Sequence, residues 1–175
     1  MTAQPIRPRD LAEHALRLAE YRPRDGRPVL SWLRRSTSAS YYAVFHAVAL
    51  AVAAHLAPSS VPEDRLRLAR SVDHGRVVEV CRWLLGAGDE GREQVRPIVR
   101  RLRLNRELVT FADHFVDLLG ARHGADYDHL ALVERSISLD HHTDALLALD
   151  LLERLVPTAD GQEFLALVAL NTSLR

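Results

Sequence analysis

Apolar positions recur every three to four residues along almost the whole chain. No stretch keeps up the alternation that a half-buried strand needs. Leu11, Ala12, Ala15, Leu16 and Ala19 form the first stripe. Asp10 precedes it with Glu13 three residues on, the spacing of a capping box that satisfies orphan backbone N–H groups. A helix is therefore predicted from Asp10 to the breakers Arg22-Pro23 and Asp25-Gly26. A long second helix is predicted over residues 28–56. Its first half has one apolar stripe, Leu30, Leu33 and Thr37, with Arg34 and Arg35 outside it. Its second half, from Tyr41 to Leu56, is apolar almost all round. A helix without a polar face belongs at the centre, wrapped by other helices or by a partner chain.

Pro58-Ser59-Ser60 reads as a loop, and Ser60 with Glu63 as a second capping box opening a short helix to about Arg70. Another helix is expected from Asp73 to Leu85, with Val77, Val80, Cys81 and Leu84 on one side. Residues 86–91 are the clearest loop. From Pro97 to about Leu119 one helix is predicted, its core stripe including Leu108, Phe111, Phe115 and Leu118, with a break at Gly120–Gly124. Helices near His142–Leu155 and Gln162–Leu170 close the chain, the last opened by a third capping box, Asp160 and Glu163. Antiparallel helices with short connections imply a bundle. The expected fold is all-α: an antiparallel bundle of four to five core helices plus short ones, in a single domain of residues 1–175.

Composition bounds the chemistry. At 175 residues the chain can bury roughly 70% of its unfolded surface, so it needs no disulfide or metal to fold. All 23 basic residues are arginine, and 23 acidic residues balance them, so no global field points to nucleic acid or membrane. Cys81 stands alone, which leaves no disulfide framework and no thiolate metal cluster. The polar N-terminus lacks the apolar core of a signal peptide. The longest apolar run, Ala43 to Ala57, falls short of the roughly 20 residues of a membrane span, and His46 and His55 interrupt it. A cytoplasmic protein with no membrane partner is expected.

The most distinctive segment is Ser38-Ala39-Ser40-Tyr41-Tyr42-Ala43-Val44-Phe45-His46-Ala47. On a buried helix its aromatics are packing groups whose polar tips need partners, and a core helix with a satisfied histidine would look the same. The segment also strongly resembles the HEPN domain (higher eukaryotes and prokaryotes nucleotide-binding). Two further stretches fit that resemblance in order: Ser71-Val72-Asp73-His74-Gly75-Arg76-Val77, and Arg122-His123-Gly124-Ala125-Asp126-Tyr127-Asp128. It covers roughly residues 10–156 and leaves 157–175 as a C-terminal helical extension. Ala39 departs from the pattern, standing where many relatives carry arginine.

The resemblance implies an RNA-directed protein. Active HEPN members are metal-independent ribonucleases that use an arginine, a polar residue, four to six residues and a histidine. Arg122, His123 and His129 satisfy that pattern. RNA cleavage by its own 2′-hydroxyl needs a base near neutral pH and a fixed cation for charge on the phosphate, which His and Arg supply. In this reading Arg122 stabilises the phosphate, His129 is acid or base, and His123 orients either, with Asp126, Tyr127, Tyr42 and His46 in support. The implied setting is a symmetric homodimer, the toxin of a two-gene defence system, neutralised by a nucleotidyltransferase-type antitoxin. The other reading is a non-catalytic dimer that binds a partner protein or nucleic acid, with Arg122 and Asp126 a structural pair. Exposure of Arg122 and His129 in one cleft would favour the enzyme, and burial of either against its own chain the module.

Other patterns carry less. Arg92, Arg96, Arg100 and Arg103 would share a helical face, but Pro97 interrupts the row, and Asp89, Glu90 and Glu93 suit an ordinary solvated surface. His141 and His142 are adjacent and cannot share a face, and no His pair has helical metal-ligand spacing. Asp140 and Asp144 read as helix-start residues. No metal and no cofactor is expected.

Overall fold

The computed structural model describes residues 7–24, 26, 29–87, 93–128 and 130–172. Asp25, Pro28, Asp89, Glu90, Gly91, Arg92 and His129 lie outside the described residues. Eight helices and no strand occur among the described residues: α1 Pro8–Glu20, α2 Leu30–Leu56, α3 Pro62–Ala69, α4 His74–Leu84, α5 Arg96–Leu102, α6 Arg106–Tyr127, α7 Arg135–Leu155 and α8 Ala159–Thr172. The all-α bundle is thus as expected.

The frame is α1, α2, α6 and α7. Side-chain bonds fix their directions. Trp32 meets Tyr21 and Ser36 donates to the Ala15 carbonyl at 2.7 Å, while Arg34 donates to the Asp128 carbonyl at 2.8 Å and Tyr42 accepts from Arg122, so α1 and α6 both run antiparallel to α2. Thr37 meets His141 and Ser138 donates to the Leu33 carbonyl, so α7 runs with α2. Small residues let α1 approach closely: Ala12, Ala15 and Ala19 are all fully buried. The centre of α2 is buried as its pattern implies, from Tyr41 through Val44 and Val48 to Val52. By length and mean hydropathy (27 residues, 1.4) α2 could also cross a membrane, but half of its apolar window is buried among the other helices.

Several boundaries differ from expectation, each for a physical reason. α1 begins at Pro8, whose missing N–H and fixed φ suit a first turn, so Asp10 lies inside the helix and makes no cap. Pro62 likewise starts α3 after Val61, and Ser60 does not cap it. Thr158, not Asp160, caps α8 by accepting from the Gly161 N–H at 3.0 Å. Asp160 accepts instead from the Asn105 side chain at 2.7 Å, and Glu163 pairs with Arg101. The single helix expected over residues 97–119 is two. Asn105 caps α6 by accepting from the Leu108 N–H, and the chain turns at Arg103–Asn105. α7 begins seven residues before His142, which puts Asp140 inside the helix and not at its start. The apolar pattern is silent there because the inward positions are polar: Ser138 and His142 are buried.

The C-terminal helix is part of the core. Phe164, Leu165 and Val168 are buried in the same cluster as Phe111 and Val52, with Phe164 edge-on to Phe111 at 5.7 Å. Gly161 allows this docking, since a Cβ there would stand 1.9 Å from the Leu155 carbonyl oxygen. Cys81 is completely buried on α4, and that burial pushes its thiol well above the usual range.

Candidate functional site

The expected break at Gly120–Gly124 does not occur; α6 continues to Tyr127. Two helical glycines cost about 1 kcal/mol each relative to alanine. Contacts at the helix end offset that cost. Ala125 is buried, and Arg34 reaches from α2 to donate to the carbonyls of Ala125, Asp128 and Ala131 at 3.3, 2.8 and 2.8 Å. The cation that meets this helix C-terminus is therefore Arg34. The apolar pattern puts Arg34 outside the buried stripe of α2; only the antiparallel neighbour reveals its task.

With α6 unbroken, Arg122 lies two turns beyond Phe115, on the side facing α2. Its side chain is 16% exposed. Nε stands 2.7 Å from Asp126 Oδ2, an ion pair one helical turn apart, close in distance though not aligned as a hydrogen bond. Nη2 donates to the Tyr42 hydroxyl at 2.9 Å and to the Tyr127 hydroxyl at 3.3 Å, and the guanidinium lies over both rings. Burial is the largest influence on Arg122 and opposes its charge. Tyr42, Asp126 and Tyr127 together outweigh it and raise its pKa. Asp126 is held in turn by Ser38, whose hydroxyl donates to Oδ1 at 2.5 Å.

A second layer lies beneath. Tyr41 is fully buried, with its hydroxyl 2.7 Å from His74 Nδ1 on the first turn of α4. His74 stacks on Phe45, ring centroids 3.6 Å apart, and meets Tyr42 edge-on at 5.9 Å. Burial lowers the His74 pKa, and Arg122 lowers it further. Burial also lowers that of His46, one helical turn beyond Tyr42, with ring centroids 6.2 Å apart. Both imidazoles are thus biased toward the neutral form. Burial raises the Tyr41 phenol, which stays protonated.

Of the sequence-predicted site residues, Arg122, Asp126, Tyr127 and Tyr42 come together, and His46 adjoins them. His123 is exposed on the other flank of α6, 6.0 Å from the Tyr127 ring, where it lines an open groove with Arg82, His141 and Asp144. His129 lies outside the described residues. Ser38, Tyr41 and His74 belong to the cluster but were not singled out as site residues. The signal for each was present, since all three stand in the stretches quoted for the resemblance. Among the described residues no group of three or more His, Cys, Asp or Glu could hold a metal ion. No family model matches the chain, and no curated protein or solved structure is significantly similar to it.

Proposed function

We propose that this chain is a HEPN-type helical protein directed at RNA, acting as a binding module in which Arg122 anchors the site. What supports the reading is convergence. The three stretches behind the resemblance are separated by tens of residues, yet Tyr41 and Tyr42, His74, and Arg122 with Asp126 and Tyr127 meet in one cluster.

The engagement of Arg122 favours binding over cleavage. A guanidinium that clamps a phosphate must offer paired N–H groups. Here Nε faces Asp126 and Nη2 faces two phenols of the same chain. The cleavage reading, with Arg122, His129 and His123 at the centre of a metal-independent endoribonuclease toxin, has one observation in its favour. Burial lowers the pKa of His46 and His74 and so favours their neutral form near Arg122, as a base beside a cation requires, although His74 Nδ1 is already held by Tyr41 and neither is the His129 of that reading. A homodimer is proposed under either reading, and a nucleotidyltransferase-type antitoxin under the cleavage reading.

The test is incubation of the purified protein with mixed RNA in EDTA, beside an Arg122→Ala/His129→Ala variant, with RNA binding followed in parallel by fluorescence anisotropy. Binding without cleavage is the expected result. Cleavage by the wild type and not by the folded variant would replace the module with the enzyme. Neither binding nor cleavage would remove RNA from the account.

A further inference from the structure

The outer face of α2 carries a stripe of half-buried and exposed residues, of which only Tyr42 also packs on the core and meets Arg122. Trp32, Arg35, Ala39, Tyr42 and His46 recur at spacings of three and four, so they share one side of the helix. α1 lies antiparallel alongside, and its Leu11, His14 and Leu18 follow the same rule, with Tyr21 just past its end. Between the two stripes runs an open groove of about 630 Å³, walled by Leu11, His14 and Leu18 on one side and by Arg35, Tyr42 and His46 on the other.

Its chemistry is one-sided. No carboxylate lines the groove. Arg35 is exposed, as are Arg22 and Arg24 just past the end of α1, and among the described residues no carboxylate pairs with any of the three. At that end Tyr21 and Trp32 stack with centroids 3.8 Å apart and planes at 22°, yet remain 43% and 37% exposed. From Trp32 to His46 the helix covers about 21 Å at 1.5 Å per residue. The groove itself holds the imidazoles of His14 and His46 and the Arg35 guanidinium; the stacked Tyr21–Trp32 pair lies outside that lining, Trp32 three residues before Arg35 on α2, and Arg22 and Arg24 follow Tyr21 in the chain.

We propose that this groove is a track for single-stranded RNA, with bases stacking on the Tyr21–Trp32 pair and phosphates drawn to Arg35, Arg22 and Arg24. The inference rests on the RNA reading above and gives it a location. Stacking accepts any base, so the track tolerates sequence, and it excludes duplex, whose bases are already stacked on one another. A second copy of the chain is the poorer occupant. In a two-fold contact across this face Arg35 and His14 would meet other members of the same lining, which holds no acid to neutralise them. A phosphate backbone supplies the missing negative charge.

The experiment is anisotropy with a short labelled oligouridylate and a duplex of equal length, at several salt concentrations, beside sedimentation velocity of the protein alone. Trp32→Ala should weaken single-strand binding by roughly fivefold or more, and Trp32→Phe should retain it within about twofold. Arg35→Gln should lower the slope of log affinity against log salt by about one. Both residues are exposed, and circular dichroism checks that each variant is folded. Binding by the wild type that all three variants match would overturn the track and leave the RNA reading standing. No binding by the wild type would overturn both. A wild-type dimer that binds no RNA and is loosened by Arg35→Gln would give the face to a second copy.

Discussion

Replacing Asp126 with asparagine keeps the shape of the side chain and removes only its charge, so Asp126→Asn asks how far Arg122 depends on an internal partner. Exposed ion pairs contribute under about 1 kcal/mol, whereas breaking a fully buried one costs about 3–5 kcal/mol. Here Arg122 is 16% and Asp126 28% exposed, and Ser38 also bonds the carboxylate. The expected cost is intermediate, about 2 kcal/mol after solvent screening of the part that remains open. For a chain of this length that is a fall in Tm of about 4–8 °C. Urea denaturation followed by circular dichroism should show a lower midpoint at an unchanged slope. A double-mutant cycle with Arg122→Met should return a coupling of about 1 kcal/mol or more. A loss below about 0.5 kcal/mol, or additive single variants, would refute the anchor role. Arg122 would then be free to meet an external phosphate, and the cleavage reading would gain what the binding reading lost.

Two further outcomes follow from the packing and the histidines. Gly161→Ala puts a methyl group against the Leu155 carbonyl, where neither backbone can yield cheaply. It should cost about 3 kcal/mol and loosen α8, and a urea midpoint like that of the wild type would show the contact to be soft. His46, His74, His141 and His142 all have pKa values lowered by burial first. Their stabilising effect is complete above the unfolded pKa of about 6.5 and drains away as pH falls below it, because the unfolded chain then binds more protons. Urea midpoints taken from about pH 7.5 down to about pH 5 should decline, and a flat or rising series would contradict the burial of these rings.

The pattern of apolar residues was enough for the class of fold and for most of the helices, because burial in a bundle is written at every third or fourth position. It failed where tertiary contacts took over from local signals. At Gly120 and Gly124 the residues themselves argue for a stop, and the helix persists because Arg34, ninety residues away, satisfies the carbonyls at its end. At Ser138 and His142 the inward face is polar, so periodicity could not see the first two turns of α7. The three capping boxes were correct as spacings and wrong as caps, since Pro8 and Pro62 start their helices after Arg7 and Val61, and Thr158 caps α8. The cluster was legible in part. Tyr42, Arg122, Asp126 and Tyr127 could be named from their stretches, whereas the link between Tyr41 and His74 depends on how α4 meets α2, which no local spacing encodes.

Cys81 gives the molecule a clock of its own. A thiol with no contact with solvent, its ionisation suppressed by burial, is closed to alkylating reagents while α4 lies on α6. Its labelling therefore waits for the fold to open, and with a fast reagent the rate of modification becomes the rate of that opening. No probe has to be introduced to time it. Addition of RNA would then slow the clock only if the bound state holds the helices together longer than the free one.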